Sequence, residues 1–305
     1  MINLARFDLT SLRLFLAAAH EGSLTAAAER IPITLSAASK RLSDLEQMME
    51  CALFVRHARG LELTPAGEAL RRHAEQLIHG LERMAGEMGD YAQGIRGHVR
   101  MWANASSVIQ FLPQSLSGFV RKHPDIRIGL EEKLSQQIID AVLTGQSDLG
   151  VFADSLPTQG LDVFTYRQDR LMVLVREDHP LAGEEALWLR QITAYDFVGL
   201  NLGSSLHSRI SAAAMREQQV LKLRIQVSSF DAICHMVAAG LGISIMPRGV
   251  LRTRALGVGL RSIPLLDEWS TRSLLVGARS GVPLRPEARH LYDYLYHESL
   301  DAGGG

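Results

Sequence analysis

A short stretch of hydroxyl and cationic side chains early in the sequence has the chemistry to bind DNA. One face of a helix that is predicted to begin at Thr34 carries Ser36, Ser39, Lys40 and Ser43. Another face carries an apolar stripe with steps of four, three and four residues, formed by Ala38, Leu42, Leu45 and Met49. Small polar and cationic side chains let a helix reach base edges and phosphates in the major groove. A solvated face of an ordinary three-helix bundle has the same pattern, so the pattern alone leaves both interpretations open.

Residue patterns typical of enzymes are missing from the sequence. It contains no Walker phosphate loop, no Gly-x-Ser-x-Gly elbow and no paired histidines at the helical spacing of a metal site. Gly257-Val-Gly259 lacks the third glycine of a dinucleotide fingerprint, because Ser262 stands there. The scattered histidines are interpreted as ordinary surface or core residues: His179, His207, His235 and His290. We therefore predict a protein that is not an enzyme and that uses no metal and no cofactor.

The neighbouring elements favour the DNA-binding interpretation. Two short helices are predicted first, one around residues 12–19 with Thr10 as its cap and one capped by Ser23. Two short strands are predicted after the third helix, Leu53-Phe54-Val55 and Leu61-Glu62-Leu63. The tip between them contains Arg56 and Arg59, which can meet phosphates or enter the minor groove. Three helices followed by such a hairpin, or wing, predict a winged helix-turn-helix.

A single long helix is predicted to follow, with Thr64 as its cap and Pro65 at its first position. Apolar residues recur along it at alternating steps of four and three: Leu70, Ala74, Leu77, Leu81, Met84, Met88 and Tyr91. A stripe this long predicts a dimerisation helix, which would place two recognition helices on two half-sites. A core helix within one chain is the alternative. Gly86, Gly89 and Gly94 indicate a hinge towards its C-terminal end.

Composition and charge limit the remaining possibilities. The 305 residues are 47% hydrophobic, enough for two or three domains. The net charge of -1 means that DNA binding must come from a locally basic surface. Cys51 and Cys234 are too few for a disulfide framework or a thiolate zinc site and suit a reducing cytoplasm. Arg13 interrupts the apolar segment at 12–19, so we interpret it as a core helix and predict a cytoplasmic protein with no membrane segment.

The order and spacing of many of these residues resemble the N-terminal signature of LysR-type transcriptional regulators. The resemblance covers residues 8–70 and is carried by Phe15, Gly22-Ser23, Ala26 to Arg30, Ser36-Ala37, Ser39, Leu45-Glu46, Leu53-Phe54 and Leu63 to Gly67. By position it implies DNA contacts from Ser23, Thr25, Thr34, Leu35, Ser36, Ser39, Lys40, Arg41, Arg56 and Arg59.

This sequence departs from the family pattern inside the recognition helix. Leu35 and Ser36 stand where glutamine and proline are usual, and Ala38 stands where leucine is common. Base-contacting positions vary with the target, so these departures affect the operator sequence rather than the fold. Leu35 can touch a thymine methyl, whereas Lys40 suits a phosphate.

From Val99 onwards strand-like and helix-like segments alternate, which predicts an α/β unit with parallel sheets flanked by helices. This part resembles the LysR-type regulatory domain through Leu112-Pro113, Phe119, His123 to Asp125, Leu143, Gly145, Asp148 to Val151, Val237 to Ile243 and Pro247. The resemblance implies a two-lobed, periplasmic-binding-protein-like (type 2) domain with two crossover strands and an effector cleft.

The sequence therefore predicts three parts. A winged helix-turn-helix DNA-binding domain covers 1–64, and a linker and dimerisation helix covers 65–94. An effector-binding α/β domain covers 95–305, with lobe I at about 97–160 and 268–300 and lobe II at about 161–267.

The resemblance places polar helix starts around the cleft. It implies effector contacts from Asn104, Ser106, Ser107, Phe152, Ser204, Ser205, Ser229 and Phe230. Free N–H groups and the positive ends of helix dipoles favour an anionic or strongly polar effector. Serine also caps helices without binding any ligand, so capping is the alternative for each of these residues. Asp154 and Asp231 can oppose an anion, which leaves the charge of the effector open.

The resemblance also implies partners. These are double-stranded promoter DNA, a small-molecule effector, RNA polymerase, and further copies of the chain in a homodimer or homotetramer. A transport-type solute-binding protein is the rival interpretation, because the second part alone resembles one. The preceding DNA-binding domain and the missing export signal argue against it.

Overall fold

The computed structural model describes residues 7–57, 60–92, 97–253 and 259–302. The chain divides into two compact units, Met1–Ala92 and Gln93–Gly305. None of the helices within the described ranges is long and apolar enough to cross a bilayer.

The first unit is a small helical domain with one β-hairpin. Its elements are α1 (Leu9–Glu21), α2 (Leu24–Arg30), α3 (Leu35–Met48), β1 (Phe54–His57), β2 (Gly60–Leu63) and α4 (Pro65–Ala92). The strands β1 and β2 pair antiparallel, as the predicted wing requires. Phe15 and Phe54 bring α1 and β1 together, with ring centroids 5.3 Å apart. The predicted winged helix-turn-helix with a long following helix is confirmed.

Side-chain caps begin most of these helices. Ser23 accepts a hydrogen bond from the Ala26 N–H at 3.4 Å, and Thr34 accepts one from the Ala37 N–H at 3.3 Å. The cap of α1 is Asp8 rather than the expected Thr10, because the Asp8 carboxylate accepts from the backbone N–H of Thr10. The helix therefore begins earlier than its apolar pattern indicates.

The start of α4 lies directly against the wing. Thr64 accepts a hydrogen bond from the Gly67 N–H at 3.0 Å and donates one to the Ala52 carbonyl at 2.7 Å, so its predicted role as cap is confirmed. A Cβ atom at Gly67 would lie 2.2 Å from the Leu53 carbonyl oxygen. Only glycine permits this close approach of helix and strand.

The second unit alternates strands and helices. Its elements are β3 (Gly97–Ala103), α5 (Ala105–Gln110), α6 (Leu112–Lys122), β4 (Ile126–Glu132), α7 (Ser135–Thr144), β5 (Leu149–Ala153), β6 (Leu161–Arg176), α8 (Leu189–Ile192), β7 (Asp196–Leu200), α9 (Ser205–Arg216), β8 (Lys222–Val227), α10 (Phe230–Ala238), β9 (Ser244–Pro247), α11 (Arg248–Thr253), β10 (Leu260–Pro264), β11 (Thr271–Arg279) and α12 (Pro286–Ala302).

The main sheet has the strand order β10-β6-β11-β5-β3-β4, with β9 also paired to β6. The expected parallel pairing holds for β3 with β4 and β5, and for β7 with β8. The strands β6 and β11 pair antiparallel to each other and to their other neighbours. The sheet is therefore mixed rather than parallel, because these two strands carry the chain between the lobes.

The strand β6 belongs to both lobes. Its residues from Leu161 to Arg170 pair with β11, and its residues from Leu171 to Arg176 pair with β9 and β10. The boundary expected at residue 161 assigned the whole strand to lobe II, whereas the change of partner occurs after Arg170. Separate hydrophobic cores lie on the two sides of this point, with Phe119 in the first lobe and Phe230 in the second. The predicted two-lobed α/β unit is confirmed.

Candidate functional site

The exposed face of α3 has the polarity that the sequence predicts. Thr34, Leu35, Ser36 and Lys40 are exposed and Ser39 is half-buried. The opposite stripe is buried, as predicted, at Ala38, Leu42 and Leu45. The sequence from residue 34 to residue 43 contains no acidic residue. A phosphate approaching this stretch meets hydroxyl groups and a lysine, and the exposed carboxylate of Asp44 lies one helical turn beyond Lys40.

Two predicted DNA contacts from the preceding helix lie close to its start. Thr25 is exposed in the first turn of α2, and Ser23 is half-buried and caps the same helix. The Thr34 hydroxyl, besides capping α3, lies 3.2 Å from the Ser36 hydroxyl. The hydroxyls of Ser23, Thr34 and Ser36 are thus held in place by hydrogen bonds within the domain.

Arg41 differs from the other predicted contacts, because it is tied to α1. Its guanidinium forms an ion pair with Asp8 and donates a hydrogen bond to the Ser11 hydroxyl at 3.3 Å. Burial alone would raise the pKa of Asp8, but hydrogen bonds from Ser11 and Thr10 and the charge of Arg41 lower this pKa below its usual 3.8. Arg41 therefore joins α3 to α1, a role that the sequence pattern did not indicate.

The wing is anchored beside the turn between α1 and α2. The Leu61 N–H donates to the Gly22 carbonyl at 2.8 Å, and a Cβ atom at Gly60 would lie 2.4 Å from the same oxygen. Arg56 is exposed on β1, whereas Arg59 lies outside the described residues. Arg56 pairs with Leu61, so it lies at the part of the hairpin that is fixed to the helical domain.

The predicted seam of α4 divides into two parts. Ala74 is buried in the core of the first unit, and Leu70 packs against that core. The next four seam residues expose between 40% and 56% of their surface: Leu77, Leu81, Met84 and Met88. The side chain of Tyr91 lies outside the described residues. Of the stripe residues that the structure describes, only Leu70 and Ala74 contribute to the core of this unit. Leu77, Leu81, Met84 and Met88 form an exposed apolar strip on α4.

A cleft of about 300 Å³ lies between the two lobes of the second unit. The first lobe contributes the start of α5, the end of β4 and the start of α7, through Ala105, Ser106, Glu132, Lys133, Leu134 and Ser135. The second lobe contributes the ends of β7 and β8 and the starts of α9 and α10, through Leu200, Asn201, Leu202, Ser204, Ser205, Leu206, Ser228 and Phe230. Leucines and one phenylalanine form most of its apolar wall.

Four predicted effector contacts line this cleft: Ser106, Ser204, Ser205 and Phe230. The Ser204 hydroxyl caps α9 by accepting from the His207 N–H at 3.1 Å. Across the cleft, the Ser135 hydroxyl donates to the Ser205 hydroxyl at 3.3 Å. The two lobes therefore meet through hydroxyl groups at the starts of α7 and α9.

The other four predicted contacts lie elsewhere. Phe152 is fully buried in the core between β5 and α7, so it forms no wall of the cleft. Asn104 caps α5 by accepting from the Ser107 N–H at 2.9 Å, and both side chains are buried. Ser229 is exposed and caps α10 through the Ala232 N–H at 3.2 Å. For Phe152, Ser107 and Ser229 the structure favours packing or capping over ligand contact, whereas the buried Asn104 amide nitrogen has no hydrogen-bond partner among the described residues.

Lys133, the cation in the cleft lining, was not predicted from the sequence. Its ammonium group lies 3.2 Å from a Glu131 carboxylate oxygen and 5.1 Å from the centre of the Trp102 ring. The only sequence signal was a lysine just before the Leu134-Ser135 helix start. Asp154, which was expected to oppose an anion, is paired with Arg209 at 2.6 Å and does not line the cleft.

A buried ion pair lies behind Ser106, where the crossover strands run side by side. Arg272 of β11 and Asp169 of β6 are 2.7 Å apart, and their side chains are only 1% and 2% exposed. The Arg272 guanidinium also donates to the Ser106 hydroxyl at 2.7 Å, and the Gln110 amide donates to Asp169 at 3.2 Å. This network connects both crossover strands to α5 at the edge of the cleft.

A DNA-reading domain followed by a two-lobed ligand cleft defines a transcriptional regulator that responds to a small molecule. The chain belongs to the LysR family of these regulators. Residues 92–299 match the LysR substrate binding domain, and residues 9–68 match the bacterial regulatory helix-turn-helix protein of the lysR family.

Relatives resemble the chain over nearly its whole length. It is 26% identical to the HTH-type transcriptional regulator YbhD of Escherichia coli (strain K12), over 95% of this chain and 91% of the relative. It is 27% identical to the transcriptional regulator GltR of Bacillus subtilis (strain 168), over 92% and 93%. The solved structure of full-length CbnR complexed with its target DNA has the same fold, with a TM-score of 0.73 at 17% identity, over 96% of this chain and 100% of CbnR.

Proposed function

We propose that two copies of this chain, joined through α4, place their α3 helices in the major groove at two half-sites of a promoter. The observation that carries this proposal is the exposed N-terminal half of α3, which combines hydroxyls with Lys40 and contains no acidic residue before Asp44. The contacts proposed are Ser23, Thr25, Thr34, Leu35, Ser36, Ser39, Lys40 and Arg56, with Arg59 from the wing tip. CbnR, a protein of the same fold, was solved in complex with its target DNA, which supports DNA binding by this fold.

Lys40→Ala tests the DNA-binding part of the proposal. The variant removes one phosphate-binding ammonium group per half-site. The salt dependence of affinity, the slope of log K against log salt, should therefore fall by about 0.9 per ammonium group, or about 2 per dimer. Titration of labelled duplex from the region upstream of the gene, at several salt concentrations, measures this slope.

Lys122→Ala is the matched control, since it removes the same charge from an exposed position in the second unit. The control should keep the wild-type slope. A wild-type protein that fails to bind duplex DNA, or a Lys40→Ala slope equal to that of the control, would contradict the proposed interface.

We further propose that the cleft binds a small anion with an apolar body. The starts of α7, α9 and α10 and the side chain of Lys133 favour negative charge, although Glu132 in the same lining and Glu131 beside Lys133 oppose it. Leu134, Leu200 and Leu202 suit an apolar portion. Binding between the lobes would change their separation, and with it the arrangement of the two recognition helices.

Lys133→Ala is expected to weaken binding of any such ligand about tenfold, because the ligand no longer receives a charge-assisted hydrogen bond. A panel of small carboxylates and phosphate esters, screened by thermal shift and then titrated calorimetrically, identifies the ligand. Lys222→Ala serves as control, because Lys222 lies outside the cleft and donates to the Ala194 carbonyl. Equal affinity of the Lys133 variant and the control for every hit would exclude the proposed anion contact.

The assembly and the setting follow from the same proposal. We infer a homodimer through α4, assembled further into a homotetramer, that acts on promoters in the bacterial cytoplasm and changes the access or activity of RNA polymerase there. The relatives YbhD and GltR are transcriptional regulators. A role in regulation rather than catalysis is therefore proposed for this chain.

A further inference from the structure

Leu35 is an apolar side chain on an otherwise polar surface. It occupies the first position of α3, and half of its surface (50%) is exposed. Among the described residues up to His57, the other exposed large hydrophobic side chains are Leu9 at 37% and Val55 at 43%. Beside Leu35 stand the exposed side chains of Thr34 and Ser36.

No contact among the described residues explains why position 35 is a leucine. The core of the first unit is built on this helix from Ala38, Leu42 and Leu45, and Leu35 is neither a member of that core nor packed against it. The cap of α3 is the Thr34 hydroxyl, which needs no contribution from the next side chain. Truncating Leu35 should therefore leave the stability of the domain unchanged.

The major groove offers one apolar feature to such a side chain. Base edges there present hydrogen-bond donors and acceptors, and thymine alone adds a C5-methyl group. Leucine can neither donate nor accept a hydrogen bond, so it can distinguish bases only through that methyl or through steric exclusion. Serine hydroxyls at Ser36 and Ser39 can bond to several bases and discriminate less.

We propose that Leu35 is a specificity-determining residue that contacts the C5-methyl of one thymine in each half-site. This inference rests on the proposed placement of α3 in the major groove. It adds that the group recognised is a base methyl and that Leu35 is the residue that recognises it.

The test compares thymine with deoxyuridine, which lacks only the methyl. Duplexes are first selected from a random-sequence library with the full-length wild-type protein, and each thymine of the selected site is then replaced in turn by deoxyuridine. Fluorescence anisotropy measures the affinity. Burial of one methyl predicts a loss of about fourfold at one thymine per half-site, and of about fifteenfold when both are replaced.

Leu35→Ala should bind the thymine and deoxyuridine duplexes equally at that position, with an unchanged melting temperature. Leu9→Ala, which truncates an exposed leucine at the start of α1, is the matched control and should keep the wild-type sensitivity.

The outcomes distinguish a failure of DNA binding from a failure of the proposed role of Leu35. If no sequence is selected, the DNA-binding function itself fails and this inference fails with it. If a site is selected but no thymine is sensitive in the wild type, or Leu35→Ala remains sensitive at the same thymine, the role of Leu35 is overturned while the DNA-binding function stands.

Discussion

Substituting Leu81→Lys and Met84→Lys together is expected to convert the protein to a monomer at the level of α4 and to weaken operator binding by about 10²- to 10⁴-fold. Both side chains are exposed in the single chain, on the strip that continues through Leu77 and Met88. If a partner helix covers this strip, two buried ammonium groups would have no counter-charge. Each remaining DNA-binding domain would then bind one half-site without the gain from linkage.

Analytical ultracentrifugation and DNA titration measure the two effects. Glu82→Lys with Gly86→Lys is the matched control, since each position lies two residues from Met84, about 200° round the helix. This control adds at least as much positive charge but leaves the strip intact, so it should stay associated and bind DNA at least as tightly. Association of the Leu81 and Met84 variant at wild-type strength would show that another surface holds the dimer.

Arg272→Met is expected to destabilise the second unit by about 3–5 kcal/mol. It leaves the Asp169 carboxylate in a site that is 2% exposed and deprives the Ser106 hydroxyl of its donor. Removing both charges with Arg272→Met and Asp169→Leu should recover most of the loss, because no uncompensated charge remains. Each charge of the pair is thus needed mainly because it compensates the burial of the opposite charge.

Urea unfolding followed by tryptophan fluorescence measures this effect, since all three tryptophans lie in the second unit, at Trp102, Trp188 and Trp269. Arg224→Met is the control, because it breaks the exposed ion pair with Asp196 and should cost only about 0–1 kcal/mol. Equal destabilisation by the Arg272 and Arg224 variants would mean that the buried pair contributes no more than a surface pair.

Helices with a regular apolar spacing were predicted well, because that spacing and the capping residues lie within a few positions of each other in the sequence. The stripe of Ala38, Leu42 and Leu45 is buried, and Thr64 begins α4 as a cap. The α1 cap was misplaced, since Asp8 and Thr10 are both capping residue types within two positions of each other. Local chemistry alone does not choose between them.

The cleft was predicted less well, because distant residues build it. Ser135 bonds to Ser205, and Lys133 joins the same cleft lining, only after the two lobes come together. No local pattern marks these residues as neighbours. All five residues of β5 are buried, so no alternation of polar and apolar residues indicated where Phe152 points. Arg272 and Asp169 pair across 103 positions of sequence. Such contacts are tertiary, and the resemblance to a family supplied only the existence of the cleft and some of the residues that line it.

In the α4 stripe, Ala74 belongs to the first unit's core and Leu70 packs against that core, whereas the next four positions lie outside it. The proposed recognition helix α3 and the strip proposed to hold a partner therefore belong to one compact unit, and α4 continues without a break past Gly86 and Gly89, where a hinge was expected. In a dimer held by that strip, α4 itself fixes the distance between the two recognition helices. Such a protein requires a fixed spacing between the two half-sites as well as their base sequence. Half a helical turn of extra DNA, about five base pairs, would carry the second half-site to the far side of the duplex and out of reach.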